Sequence, residues 1–211
     1  MVDGHSISKY APDGTKSTFA TELKYPLGLC FDGEGNLFVS DGSAINPKSR
    51  PSILKFTPDG KRSTFATGIS SVGMAFDRSG NLFVSQGGLI FKFTPTGVKS
   101  TFVTSKKANF IDLAVDGANN LFVVDQGWPV SIVNITPEGA KSTFAADLEN
   151  LRNLTVDATG NFYGSSNHAI LRFAPDGTKT RFPPVPRLTR LGISPLIVQA
   201  MSLCGTAMMQ F

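Results

Sequence analysis

One phrase recurs five times along this chain of 211 residues: an apolar run, a turn of Pro-x-Gly form, then a short segment ending in phenylalanine. The prolines are Pro12, Pro58, Pro95, Pro137 and Pro175, spaced by 46, 37, 42 and 38 residues. Gly14, Gly60, Gly97, Gly139 and Gly177 follow them, and then Phe19, Phe65, Phe102, Phe144 and Phe182. A second phrase alternates with the first: FDGEGNLFVSD, FDRSGNLFVSQ, VDGANNLFVVD and VDATGNFYGSS, with aspartates Asp32, Asp77, Asp116 and Asp157. Such a repeat constrains the fold strongly, because each unit is one supersecondary element that buries its apolar faces only against its neighbours. It does not disclose which molecule the protein acts on.

Each period holds four short strands. In the first full unit they are expected at 28–31 (A), 36–40 (B), 53–57 (C) and 62–66 (D), β-branched or aromatic runs bounded by Gly, Pro, Asp and Asn. Asp32 to Asn36 reads as a hairpin turn, because an Asp side chain bonds the backbone two residues on and glycine supplies positive φ. Pro58-Asp59-Gly60 is a second turn. No apolar period of three and four residues argues for a helix. Strands B and C are apolar on both faces, as in Leu37-Phe38-Val39 and Ile53-Leu54-Lys55-Phe56, so each needs a sheet neighbour on either side. Strand A carries a small residue in every copy, Cys30, Ala75, Ala114 and Thr155, suited to a crowded centre. Four strands in about 41 residues is the spacing of a β-propeller blade. The expected fold is an all-β propeller of about five blades.

The blades are expected at 26–67, 71–104, 109–146 and 150–182, within a repeat region of residues 1–186. Residues 5–20 form an orphan C–D pair, and Val2-Asp3-Gly4 resembles the end of a B strand. In the remaining segment, 187–211, Leu188-Thr-Arg-Leu-Gly-Ile-Ser194 lines up with Leu151-Arg-Asn-Leu-Thr-Val-Asp157, so a further inner strand is expected there. Its pairing with the orphan strands would complete a fifth blade. The stretch from Leu191 onward is uncharged, but its Pro, Gly, Ser, Gln and Thr content argues for a degenerate or truncated end over a membrane span. Phe65, Phe102 and Phe144 are expected to be buried between blades.

Pro26-Leu-Gly-Leu-Cys-Phe-Asp-Gly-Glu-Gly-Asn-Leu-Phe-Val-Ser-Asp41, followed by Ile53-Leu-Lys-Phe-Thr-Pro-Asp-Gly60, resembles the NHL repeat and equally the blades of the senescence-marker/gluconolactonase (SMP-30) propellers. The resemblance covers residues 1 to about 182. It implies protein-binding, RNA-binding, ligand-sensing or lactone-hydrolysing roles, since fold alone does not choose among them. It also favours an extracytoplasmic location, although no signal peptide opens the chain. The lactonases hold a divalent metal through oxygen ligands placed just before the glycine that opens strand A. Here those positions read Leu27, Val72, Ile111 and Arg152, which offer no carboxylate or carboxamide oxygen. No cofactor is therefore expected, with Ca²⁺ reserved for the lactonase-like alternative. Asp32-x-Glu34-x-Asn36 echoes half a calcium loop, but the other repeats lack the middle acid and a turn is the better reading.

The net charge of +4 comes from basic residues spread through the repeats, with Lys16, Lys61, Lys99 and Lys141 one per outer strand. That pattern keeps sheet edges from pairing and lacks the basic cluster with exposed aromatics that a nucleic acid requires. Two cysteines, Cys30 and Cys204, make no disulfide framework, and Cys30 reads as a core residue. His5 and His168 are the only side chains with an ordinary pKa suited to a neutral-pH base. The sequons at Asn134 and Asn153 fall on strands.

The B–C loops vary most in length, and variable loops on a rigid scaffold carry recognition. They contain Asp41 and Arg50 in the first blade, Asp125 and Trp128 in the third, and Asn167 and His168 in the fourth. Arg50 and Trp128 are the expected contact residues, with packing of Trp128 over its own blade as the alternative. Asp112 and Asn153 replace the strand-A glycine in two adjacent blades. With Arg152 they form either a polar binding spot or caps for local backbone. The function expected is a non-catalytic module recognising a protein, glycan or small ligand on its loop face; the alternative is a metal-dependent lactonase-like hydrolase.

Overall fold

A computed structural model describes residues 2–42, 50–71, 73–166 and 169–182. The expectations for Val72, Asn167, His168, Cys204 and the segment 187–211, including its pairing with the N-terminal strands, lie outside them. Every element among the described residues is a strand. The first sheet has three, β1 (Val2–Asp3), β2 (Ser6–Tyr10) and β3 (Lys16–Ala20). Four sheets of four follow. They are β4 (Pro26–Phe31), β5 (Leu37–Asp41), β6 (Ser52–Phe56) and β7 (Arg62–Thr67); β8 (Met74–Phe76), β9 (Leu82–Gln86), β10 (Leu89–Phe93) and β11 (Lys99–Thr104); β12 (Phe110–Val115), β13 (Leu121–Asp125), β14 (Ser131–Ile135) and β15 (Lys141–Ala145); β16 (Asn153–Val156), β17 (Phe162–Ser165), β18 (Ile170–Phe173) and β19 (Lys179–Phe182). Each sheet is hydrogen-bonded in sequence order, the up-and-down topology of a propeller blade. The strands of the second sheet begin and end within two residues of the positions read from the sequence.

The chain divides into two compact units, Met1–Gln86 with Phe91–Thr101, and Gly87–Ile90 with Phe102–Phe211. In the first, Ile7, Leu23, Leu37, Val39, Leu54 and Phe56 form one buried cluster. In the second, Phe122, Val124, Ile132, Leu151, Leu154, Phe162 and Phe173 do the same. The B strands are buried nearly throughout, β5 along its whole length. The outer strands keep their leading basic residue, Ser and Thr exposed, Arg62-Ser63-Thr64 in β7 and Lys141-Ser142-Thr143 in β15.

The repeated aspartates are turn-formers in every copy. Asp77 Oδ1 accepts the amides of Ser79 at 2.9 Å and Asn81 at 2.8 Å, while Oδ2 accepts Asn81 Nδ2 at 2.7 Å. Asp32, Asp116 and Asp157 make the same set with Asn36, Asn120 and Asn161. The Asp-to-Asn spacing is thus a closed hydrogen-bond unit that satisfies the hairpin backbone. Around Asp157, desolvation works against the charged form, but hydrogen bonds from Asn161 and Thr159 outweigh it and hold the carboxyl down at about 2. Asp32 therefore sits in a turn, and Glu34 meets Asn36 Nδ2 at 3.1 Å.

The repeated phenylalanines are half-buried rather than buried, and the reason lies in the strand pairing. Ile53 pairs with Ala66 and Leu54 with Thr64, which leaves Phe65 as the extra residue of a β-bulge. Phe19 and Phe144 occupy the same place in their sheets. A bulge re-aims its side chain. Phe144 meets Phe122 of its own sheet at 5.0 Å, then Phe162 and Phe173 of the next sheet at 5.6 and 6.3 Å. Phe65 likewise joins Phe38 at 5.1 Å to Phe93 at 5.4 Å. The last copy has no bulge: Ile170 pairs with Phe182 and Leu171 with Arg181, and Phe182 is 41% exposed.

Candidate functional sites

Asp41 and Asp125 end the second strand of their sheets, and both turn inward on the backbone. Asp41 is buried, and its Oδ1 accepts the amides of Lys24 at 2.8 Å and Tyr25 at 2.7 Å. Asp125 Oδ1 accepts the amides of Asn109 and Gly127, each at 2.8 Å. Each carboxylate fixes the segment leading into the first strand of its own sheet. Arg50 is exposed, with φ of +43°, at the end of its loop. His5, the one histidine among the described residues, is tied down: Nδ1 donates to the Leu23 carbonyl at 2.8 Å. Cys30 is half-buried, so it is not the core residue its small-side-chain position suggested.

Asp112 and Asn153 are brought together within the second unit. A bulge between Phe110 and Asp112 in the β12–β13 pairing redirects the strand here. Asp112 Oδ1 accepts the Leu113 amide at 2.9 Å, and Oδ2 accepts the Leu154 amide of the next sheet at 2.9 Å. Asn153 favours the charged form of Asp112, and its Oδ1 accepts Ser165 Oγ at 3.0 Å. Arg152 is exposed and contributes only its amide, donated to the Ser165 carbonyl at 2.9 Å. Asp112 thus links two inner strands, the capping arrangement, and Arg152 stands outside it. The first unit has a neutral counterpart in Ser40, whose Oγ accepts the Gly28 amide at 2.9 Å and donates to the Ser71 carbonyl at 2.6 Å.

Packed protein around Asp112, which retains only partial access to solvent, raises its carboxyl to about 7, against the opposing hydrogen bonds from Leu154, Leu113 and Asn153. In the unfolded chain an Asp titrates near 3.9, so its folded pKa is the higher one. Its contribution to stability is therefore fully present below about pH 4, declines as pH rises to about 7, and is level beyond. Asp112→Asn abolishes this titration. The stability of the native protein relative to the variant is expected to fall by up to about 4 kcal/mol between pH 4 and pH 8. Urea unfolding of both proteins across that range checks it, and a pH-independent difference would refute it.

The positions that would carry metal ligands do not fit a cation. Leu27 is 37% exposed, Ile111 is half-buried, and Arg152 brings its own positive charge. The carboxylates nearby, Asp41, Asp112 and Asp125, are engaged by backbone amides. Among the described residues no group of three or more His, Cys, Asp or Glu side chains is placed to hold a metal ion.

The third B–C loop is different in kind. Trp128 is 98% exposed, so it does not pack on its own sheet. The loop beneath it is braced on two sides. The Gln126 amide donates to the Asn109 carbonyl at 2.9 Å, and Gln126 Nε2 donates to the Leu151 carbonyl at 3.3 Å. The Leu148 amide donates to the Val130 carbonyl at 3.0 Å. Gly127 lies so close to the 107–109 segment that a Cβ there would stand 3.3 Å from the Lys107 carbonyl oxygen. The sequence marked Trp128 but gave no sign of this bracing, which comes from segments about 20 residues away on either side.

No family model matches this sequence, and no curated protein is similar to it at a significant level. Solved structures do match. A gluconolactonase of Xanthomonas campestris superposes with a TM-score of 0.73 at 17% identity, covering 87% of this chain and 70% of that one. A structural-genomics target proposed to be a gluconolactonase gives 0.70 at 17%, covering 86% and 71%. Streptogramin B lyase gives 0.64 at 17%, covering 88% of this chain; the chain spans 64% of that enzyme, less than two thirds. These likenesses identify the architecture: the chain is built from β-propeller blades of the kind found in those enzymes.

Proposed function

We propose that this protein is a β-propeller binding module that takes a protein, glycan or small ligand on its B–C loops. The observation that carries this reading is Trp128, a large aromatic side chain held almost wholly in water on a braced loop. Burying such a ring stabilises a protein by a few kcal/mol, and this fold forgoes that gain. Meanwhile the carboxylates that could serve chemistry hold backbone amides. The spread of Lys16, Lys61, Lys99 and Lys141, all exposed, supports no nucleic-acid groove. No helix of the described residues is long and apolar enough to cross a membrane.

The second reading, a metal-dependent lactonase-like hydrolase, is favoured by the fold shared with the Xanthomonas campestris gluconolactonase. It requires metal ligands other than those at Leu27, Ile111 and Arg152. Elemental analysis of the purified protein with an assay on gluconolactone separates the two readings. Stoichiometric Ca²⁺ or Zn²⁺ together with lactone hydrolysis would establish the hydrolase.

Under the binding reading, Arg50→Ala or Trp128→Ala weakens the complex by about 2 kcal/mol or more and leaves the melting temperature unchanged. Calorimetric titration beside a thermal melt checks both halves. A melting temperature lowered by Trp128→Ala with binding intact would return that residue to a packing role.

A further inference from the structure

Resting on that loop-face reading, we propose that the 126–130 loop presents Trp128 as a stacking platform for a neutral carbohydrate. The area argues against a protein partner here. One tryptophan offers about 150–250 Å² of contact, whereas a stable protein interface needs about 800 Å² per partner. Trp128 and Phe182 are the only exposed large hydrophobic residues among the described residues of this unit. Among the described residues of this unit, the exposed apolar surround that makes an aromatic residue a protein-binding anchor is therefore missing.

The chain neighbours of the bracing contacts are polar and of mixed charge. Lys107 and Asn109 lie on one side; Glu149, Asn150 and Arg152 lie on the other, and all five are exposed. Amide, carboxylate and guanidinium groups are planar donors and acceptors that match paired hydroxyls. The indole face is electron-rich and attracts the polarised C–H face of a pyranose ring. Two cations against one carboxylate leave these five residues a net charge of only +1, too little for a polyanion site and suited to a neutral polyhydroxylated ligand. The bracing by Asn109, Leu148 and Leu151 fixes the loop backbone on either side of Trp128, so binding has the side chain but not the loop to order.

Trp128 is the single tryptophan of the chain, so its fluorescence reports on this site alone. The full protein is titrated with hexasaccharides of β-linked glucose, α-linked glucose, xylose and N-acetylglucosamine. At least one is expected to shift the emission to shorter wavelength and protect the ring from acrylamide quenching. For that sugar, calorimetry should show about tenfold or more loss of affinity in Trp128→Ala and partial recovery in Trp128→Phe, with unchanged melting temperatures. If no sugar moves the emission, or Trp128→Ala binds as well as the native protein, the platform is overturned. Loss of sugar binding on Arg50→Ala but not Trp128→Ala would overturn the platform while keeping the loop-face reading. If neither substitution alters the binding of any sugar, peptide or lactone, both readings fall.

Discussion

Gly88→Ala is expected to lower stability by about 3 kcal/mol, the upper part of the range for forcing atoms into packed space. A Cβ at this position would stand 2.0 Å from the Ser105 carbonyl oxygen and 3.2 Å from that of Ala108. Both neighbours are backbone, and Ser105 is further tied to Gly88 by an amide donated to its carbonyl at 2.8 Å. No rotamer change can make room, so the 105–108 segment must move as a whole. For a chain of this size the expected fall in melting temperature is about 6–12 °C. Gly33→Ala is the control, because nothing lies within 4 Å of its Cβ position and its φ is ordinary; it should change stability by less than about 0.5 kcal/mol. Equal melting temperatures for the two variants would refute the close approach of these segments.

Phe144→Ala is expected to cost about 3 kcal/mol, the lower end for an aromatic truncation because the ring is only half-buried. Its contacts with Phe122, Phe162 and Phe173 are all lost together. Phe182→Ala, at the repeat-equivalent position, should cost less than about 1 kcal/mol because that copy has no bulge and its ring is exposed. Denaturant unfolding of the pair gives the comparison. Similar losses at the two positions would mean that the bulge does not set how far the ring reaches.

These two pairs mark the limits of what the residues alone disclose. The blades were legible because their signals are local: Asp32 to Asn36 and Pro58 to Gly60 are turns by their own chemistry, and the period repeats them. Burial of Phe65 and Phe144 was overestimated because a bulge depends on which residue lies opposite. Gly88 drew no attention because the constraint on it comes from a segment about 17 residues away. Asp41 and Asp125 looked like loop ligands, yet backbone amides had already claimed them. Asp112, Asn153 and Arg152 stood out as a polar group, but the Leu154 amide that Asp112 accepts carries no mark in a sequence. Trp128 stood out by its identity, and only its exposure decided against packing on its own sheet.

The strict sequence order of hydrogen-bonded strands bears on how the chain folds as well as on what it becomes. Each four-stranded sheet occupies one uninterrupted stretch, from Pro26–Phe31 to Arg62–Thr67 in the first case. Strand pairings therefore span short sequence separations, unlike those of Greek-key sandwiches, whose distant partners impose slow loop closure. During synthesis a sheet has all its hydrogen-bonding partners once about 40 residues have emerged, before the next sheet is complete. Pulse-labelled hydrogen exchange on nascent chains of increasing length should show protection arriving in steps of one sheet.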